Sequence, residues 1–403
     1  MSDNIKKYIY LDHSASTPIE PEILDLMKSC SLDYYQNPSS IHSGGRKAKQ
    51  IITESKIKIS AILDVNPDEI IFTGSGTESD NLAVLGVARA NKKHGKHIII
   101  SSIEHKAVIE SARQLESEGF EITTIPIDKN GIVDVAKCIK SIRPDTLLIS
   151  VIHANNEIGT VQPIQKLSKE IQKIRGENSF PLFHTDACQS IGLLPISAEN
   201  LGVDLMTMNS SKAYGPKGIG LLYKKTGIEL QPLIFGGSQE FGLRAGTQSV
   251  ALIVGFVRAI EIAEQKRTGE TERLKKLQTY FINEILEKIP GAILNGHRSK
   301  RLANNVHISI PYVEGESIIL CLEQYGVAIA TGSACSSFDL EPSHVLRAIE
   351  QNDLLIHGSL RFSFGRGTVL ADLDYTIKKL TQIIKKLSSL SALTTYAYET
   401  HKK

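Results

Sequence analysis

The chain has 403 residues, of which 41% are hydrophobic and 22% charged, with a formal net charge of +2. That balance describes a soluble globular protein and argues against a dedicated nucleic-acid binder, and no stretch approaches the ~20 apolar residues needed to cross a bilayer. The start, MSDNIKKYIY, lacks the apolar core of a signal peptide, and the five cysteines form no CxxC pair. A cytoplasmic protein of two domains is the expectation, with no membrane and no nucleic acid as partner.

In chain order, residues 8–11 read as an extended piece and 12–18 as turns. The polar run Gln36-Asn37-Pro38-Ser39-Ser40 leads into a helix over about 44–63. Ile70-Ile71-Phe72 is a short apolar strand that runs into Thr73-Gly74-Ser75-Gly76-Thr77-Glu78-Ser79, and a helix follows to about Lys93. Strand-like runs recur at 97–101, 122–125, 147–152, 182–186, 204–208 and 219–223, mostly with amphipathic stretches between them. This alternation predicts an α/β fold with a mainly parallel sheet. Residues 248–288 have a helical pattern with an interruption expected near Thr268-Gly269, the candidate hinge. Strands at 306–310, 327–330 and 359–364 and helices at 314–325 and 373–387 then suggest a smaller α+β domain. The larger domain is placed at 16–260 and the smaller at 1–15 plus 261–403, with the N-terminal strand near the smaller one.

Five stretches carry candidate chemistry. Residues 208–220, MNSSKAYGPKGIG, put Lys212 on a turn between two apolar strands. A lysine shielded from solvent has a depressed pKa and can act as an amine nucleophile, forming a Schiff base. The glycine-rich run around Gly76 and Thr77 lies between a strand and a helix, where free N–H groups and the helix dipole suit a phosphate; a plain capping turn, with Asp80 in an acidic first turn, is the other reading. His184, Asp186 and Cys188 alternate on one strand, which invites a metal-site reading. The preferred reading is that the strand end delivers one carboxylate, Asp186, to pair with a protonated ring nitrogen, so no metal is assigned. Cys335 sits among Gly332, Ser333, Ala334, Ser336 and Ser337 with little to pack against, which suits a reactive thiol. Arg361, in an alternating strand, could hold a carboxylate in a bidentate pair or form a surface salt bridge.

With these residues in place, the chain resembles the cysteine desulfurases of the NifS/IscS type, class V pyridoxal-phosphate enzymes of fold-type I. The resemblance runs from about Tyr8 to Leu390 and includes Asn37-Pro38-Ser39-Ser40-Ile41-His42, Thr77-Glu78-Ser79-Asp80-Asn81, Glu104-His105-Lys106, Asn155-Asn156-Glu157-Ile158-Gly159, Asp186-Ala187-Cys188-Gln189-Ser190, Arg244-Ala245-Gly246-Thr247 and Gly332-Ser333-Ala334-Cys335. It implies a large domain with a mainly parallel seven-stranded sheet and pyridoxal 5'-phosphate held by Lys212. Asp186 would face the ring nitrogen, Gln189 and Asn156 the ring oxygen, and His105 would stack on the ring as an acid/base. Gly76, Thr77, Asn209 and Ser211 would cradle the phosphate, with Thr247 reaching that of the other subunit in a homodimer. Asn37 and Arg361 would bind the carboxylate of L-cysteine, and Cys335, in a loop of the long type, would take its sulfur and pass it to an acceptor such as an iron–sulfur scaffold or a tRNA-thiolation protein.

One position departs from the family pattern. Where relatives have Ser-Gly-His-Lys or Ser-Ala-His-Lys, this chain has Asn209-Ser210-Ser211-Lys212, so Ser211 stands where a histidine holds the phosphate. The tail 394–403 also differs from the tail with which some relatives dock a scaffold. Two further readings stay open: a related lyase favouring selenocysteine, against which Cys335 argues, and a non-catalytic sulfur-relay subunit, against which Lys212, Asp186, His105 and Cys335 together argue.

Overall fold

The computed structural model describes residues 8–331 and 342–390. In chain order the elements are β1 (Ile9–Tyr10), α1 (Pro21–Asp33), α2 (Ser43–Leu63), β2 (Ile70–Thr73), α3 (Gly76–Asn91), β3 (His97–Ser101), α4 (Lys106–Ser117), β4 (Glu121–Ile125), α5 (Val135–Lys140), β5 (Thr146–Ser150), α6 (Ile164–Arg175), β6 (Leu182–Asp186), α7 (Ala198–Leu201), β7 (Leu205–Asn209) and β8 (Gly220–Lys224). There follow α8 (Val250–Lys288), β9 (Ile293–Leu294), β10 (Asn305–Ser309), α9 (Gly315–Glu323), β11 (Val327–Ala328), α10 (His344–Ala348), α11 (Asp353–His357), β12 (Ser359–Ser363) and α12 (Leu370–Leu390).

Seven strands form one sheet in the order β2-β8-β7-β6-β5-β3-β4. Pairs β7–β6, β6–β5, β5–β3 and β3–β4 are parallel, and β8 runs antiparallel to both its neighbours. The inner strands are buried along their whole length, as a sheet covered on both faces requires. Successive side chains divide between two cores: Ile70, Phe72, Ile99, Ile149, Phe183 and Met206 face one, and Ile71, Ile98, Ile100, Leu148, Leu182 and Leu205 the other. The α/β class and the mainly parallel sheet expected from the alternation are therefore present.

A further core gathers Ile9 and Leu11 with Phe281, Val306, Ile318, Phe362 and Leu380. Here β10 lies between β12 and β9, antiparallel to both, and β1 pairs in parallel with β11, in register Ile9 with Val327. The rings of Phe362 and Phe364 meet that of Phe281 edge-on, at 4.9 and 5.4 Å. The N-terminal strand thus joins the elements it was expected to pack near. The interruption expected near Thr268-Gly269 is absent. Helix α8 runs unbroken through Gly269, whose missing side chain would have met nothing within 4 Å. Ahead of that point α8 packs through Ile253, Phe256 and Ile260 on the first core, and beyond it through Leu274, Phe281 and Ile285 on the other.

Candidate active site

The site forms where three strand ends meet. Gly220, the first residue of β8, pairs with Asn209 at the end of β7 and with Thr73 at the end of β2. Because β8 is antiparallel, its start lies beside the turn that leaves β7 and the loop that enters α3. A Cβ on Gly76 would stand 2.9 Å from Cys188 Sγ and 3.3 Å from Asn209 Cβ, so the start of α3, the turn after β6 and the end of β7 touch there. Ser75 caps α3: its hydroxyl accepts from Glu78 N–H at 3.1 Å. Glu78 also accepts from Gly74 N–H at 2.7 Å and pairs with Arg244 at 3.0 Å. The N–H groups of Gly76 and Thr77, in the first turn, have no acceptor within the helix and stand at the positive end of its dipole.

Lys212 ends a single 3-10 turn, Ser210–Lys212, held by Asn209, whose Oδ1 accepts from Ser211 N–H at 2.9 Å and from the Ser211 hydroxyl at 3.0 Å. The Lys212 ammonium donates to the Ala15 carbonyl at 2.5 Å, and Thr17 N–H donates to Ser211 O at 2.9 Å. The N-terminal residues therefore wall this turn from one side. Gln189 joins the same wall through Nε2, 2.9 Å from Ser14 O. Asp186, at the C-terminal end of β6, is 5% exposed and accepts from Cys188 N–H at 2.9 Å. His105 precedes α4 and accepts from Ala107 N–H through Nδ1 at 3.1 Å. One ligating atom from each of Asp80, His105 and Asp186 lies within 4.8 Å of the other two. His184 and Cys188 are not in that group. His184 bonds Ser150 and Thr207, and burial pushes the Cys188 thiol well up, so both pack while Asp186 is delivered to the site.

Arg361, on β12, is 2% exposed. Its Nη2 meets Asp12 Oδ1 at 2.8 Å, its Nη1 donates to the Asn156 carbonyl at 3.2 Å, and its Nε has no partner. A surface salt bridge is thereby ruled out for it. Its backbone exchanges hydrogen bonds, at 2.7 and 3.2 Å, with Ala330, which precedes in sequence the segment that bears Cys335. Cys335 itself lies outside the described residues. Beyond that segment, Ser343 donates to Glu157 Oε2 at 2.5 Å and His344 Nε2 lies 3.0 Å from Glu104 O. Burial raises the Glu157 carboxyl to about 7. Asn37 and Thr247 are exposed, and Asn37 Oδ1 accepts from Ser39 N–H at 2.9 Å. Neither is hydrogen-bonded to Lys212, Asp186 or Arg361 among the described residues.

A helix start with uncommitted N–H groups, a buried carboxylate, an imidazole and a lysine at the C-terminal edge of a parallel sheet form a donor set that fits pyridoxal 5'-phosphate. Buried atoms without partners at Asp80 Oδ1, Ser210 Oγ and Arg361 Nε fit an occupant of that polarity. The aminotransferase class-V family matches residues 9–376. Over 387 residues the chain is 50% identical to the cysteine desulfurase IscS of Dictyoglomus turgidum, covering 96% of this chain and 97% of that one. The chain belongs to this family, among the NifS/IscS-type cysteine desulfurases. A second relative, cysteine desulfurase IscS 1 of Archaeoglobus fulgidus, is 43% identical over 384 residues, 95% of this chain and 99% of its own. A solved NifS-like protein superposes with a TM-score of 0.88 at 34% identity, covering 94% of this chain and 99% of that one. Enzymes of this family depend on pyridoxal 5'-phosphate.

The sequence reading of the desulfurase missed Asp80, Glu104 and Asp12. A signal for Asp80 was there. At helical spacing it shares the face of Gly76, Ala83, Val84 and Val87, all buried, where a first-turn capping acid would not lie. Burial and the nearby Asp186 push its carboxyl well up.

Proposed function

We infer that the chain removes sulfur from L-cysteine, giving L-alanine and a persulfide on Cys335 that passes to an acceptor. The convergence of Lys212, Asp186, His105 and the start of α3 at one edge of the sheet carries this reading. Pyridoxal 5'-phosphate, when bound, supplies a carbonyl that holds the substrate amine and a ring that takes up electrons from its α-carbon. Lys212 holds the cofactor at rest and moves protons at Nζ during turnover. Asp186 would keep the ring nitrogen protonated, Gln189 and Asn156 would bond the ring oxygen, and His105 would face the ring and exchange protons. Gly76 and Thr77 grip the phosphate with Asn209 and Ser211, and Thr247, which is exposed, reaches it across a homodimer.

Arg361 binds the substrate carboxylate together with Asn37, and its Nε without a partner supports that role. Asp12 holds the guanidinium in place beforehand. The Cys335 thiolate attacks the substrate sulfur: an S–S bond forms, the C–S bond breaks, and its electron pair and a proton end on the alanine methyl group. Residues 16–260 form the cofactor-binding domain and 1–15 with 261–403 the smaller one, a division supported by their separate apolar cores. The acceptor is an iron–sulfur scaffold or a tRNA-thiolation protein, and a cytoplasmic setting suits the free thiols Cys30, Cys138, Cys188 and Cys321.

Incubation with L-cysteine and a reductant is expected to yield alanine and sulfide in equal amounts. Lys212→Ala is expected to lose both the yellow colour and that yield. Borohydride reduction followed by peptide mapping should find the cofactor on Lys212, and a label on another lysine would overturn the assignment.

A further inference from the structure

Strand β2 stands at one end of the seven-stranded sheet, and the edge it turns away from β8 is met by an ion pair instead of a strand. Lys56 of α2 falls in the buried stripe Ile52, Ile59 and Leu63 and is 8% exposed. Its ammonium donates to the Ile70 carbonyl at 2.8 Å and to Glu240 Oε2 at 2.8 Å. Glu240 is 4% exposed, and the same Oε2 accepts from Phe72 N–H at 3.1 Å. Ile70 O and Phe72 N are groups that a neighbouring strand would have paired. The Lys56 ammonium also lies 4.6 Å from the centre of the Phe241 ring.

Glu240 and Phe241 hold left-handed backbone, with φ of +47° and +59°, where residues other than glycine are uncommon. Such a turn persists where its surroundings over-determine it. Glu240 Oε1 accepts from the Gln248 side chain, and Gln239 Oε1 accepts from Gly246 N–H at 3.1 Å. Residues 239–248 are thus closed into a loop with Glu240 at its base, and exposed Thr247 lies on that loop. Replacing a buried ion pair by apolar side chains of like size often costs no stability, so stability alone does not account for this one. What the charges add is direction: one carboxylate meets Lys56, Phe72 N–H and Gln248 at once.

We propose that Lys56 and Glu240 are positioning residues for the cofactor site of the other subunit, clasping the loop 239–248 to the edge of β2 and so fixing where Thr247 stands. The inference rests on the reading in which Thr247 reaches the phosphate across a homodimer. The loop also touches the cradle of its own subunit, because Arg244 pairs with Glu78, which accepts from Gly74 N–H at 2.7 Å. The two routes differ in which subunit must keep the clasp.

Mixed dimers separate them. One subunit carries Lys212→Ala, so cofactor fixed by borohydride counts only the site of the other. Glu240→Ala is placed either in the Lys212→Ala subunit, opposite the counted site, or in the subunit that bears that site. Placed opposite, it should weaken affinity for pyridoxal 5'-phosphate by about tenfold and leave affinity for pyridoxal unchanged. Placed in the same subunit, it should change neither. Thr247→Ala placed opposite should cause a loss of the same size, and the two substitutions together no more than either alone. A loss in the same-subunit arrangement, equal losses in both arrangements, or none would overturn the clasp. Additive losses would overturn its action through Thr247. A monomer in sedimentation, or a Thr247→Ala variant without effect, would sink the homodimer reading and this inference with it. Should Glu240→Ala fail to fold, Lys56→Met combined with Glu240→Leu removes both charges at similar volume and is held to the same outcomes.

Discussion

Gly220→Ala offers the sharpest probe of the proposed phosphate cradle. A Cβ there would lie 2.5 Å from Ser75 C and O and 2.9 Å from Gly76 N. Ordinary contacts begin near 3.4 Å, so roughly 0.9 Å must be found, and all three obstructing atoms are backbone. Strand β8 is pinned on both sides by its ladders to β2 and β7, whereas the loop into α3 is held by Thr73 Oγ1 to Ser75 O at 3.1 Å and by the Ser75 cap. The displacement therefore falls on Ser75 and Gly76. Overpacking of this kind costs about 1–3 kcal/mol of stability. A shift of about 1 Å also takes an N–H out of hydrogen-bonding range of an anion, and a bond to a charged group is worth about 1.5–3 kcal/mol, so affinity for the cofactor should fall by about one to two orders of magnitude. Titrating the apo-protein with pyridoxal 5'-phosphate and, separately, with pyridoxal isolates the phosphate contribution. The variant should lose affinity for the phosphorylated form alone. Equal losses for both, or none, would show that the strand yields and the cradle does not depend on this contact.

Ser211→His should slow cofactor loss during dialysis against a competing amine, since the Ser211 hydroxyl is spent on Asn209 Oδ1 and a histidine would add a longer reach; retention no better than native would mean the Asn209 network already replaces it. Cys335→Ser should bind cofactor and cysteine yet form no persulfide, and normal turnover would remove Cys335 from the sulfur-carrying role. Glu157 is raised from 4.5 to about 7 by burial, so the folded state holds a proton that the unfolded chain releases. Its stabilising contribution is full below about pH 4.5 and is lost as pH rises to about 7, at up to roughly 1.4 kcal/mol per pH unit. Urea unfolding from pH 5 to 7 should show that decline in the native protein and a flatter one in Glu157→Gln; identical slopes would contradict the buried acid.

The place of Lys212 on a turn between two strands could be read from sequence because its signals are local: two apolar strands broken by Ser210, Ser211, Gly215 and Gly218 leave few places for the lysine between them. Asp186 followed from the same logic at the end of β6. Asp80 did not, because its meaning depends on which face of α3 meets the sheet, and in isolation it passes for a first-turn acid. The pairing of Asp12 with Arg361 joins the segment after β1 to β12, near opposite ends of the chain, which no local pattern encodes. The expected break at Gly269 failed for a related reason. A glycine in a helix costs about 1 kcal/mol, far less than the packing of α8 on two cores contributes on either side of it. Helix α1 escaped the pattern since only Ile23 and Cys30 of its 13 residues are buried.

The pairing of Ile9 with Val327 gives the chain an order of assembly. During synthesis the amino terminus leaves the ribosome first, yet its strand partners, β11 and the Ser363 end of β12, emerge near the end. The seven-stranded sheet has all its strands by Lys224 and can collapse while residues 8–17 still wait, with Ile9 and Leu11 in water. Those same residues supply Ala15 O to Lys212 and Thr17 to Ser211. The nascent sheet thus presents the Lys212 turn without that wall until β11 and β12 have emerged.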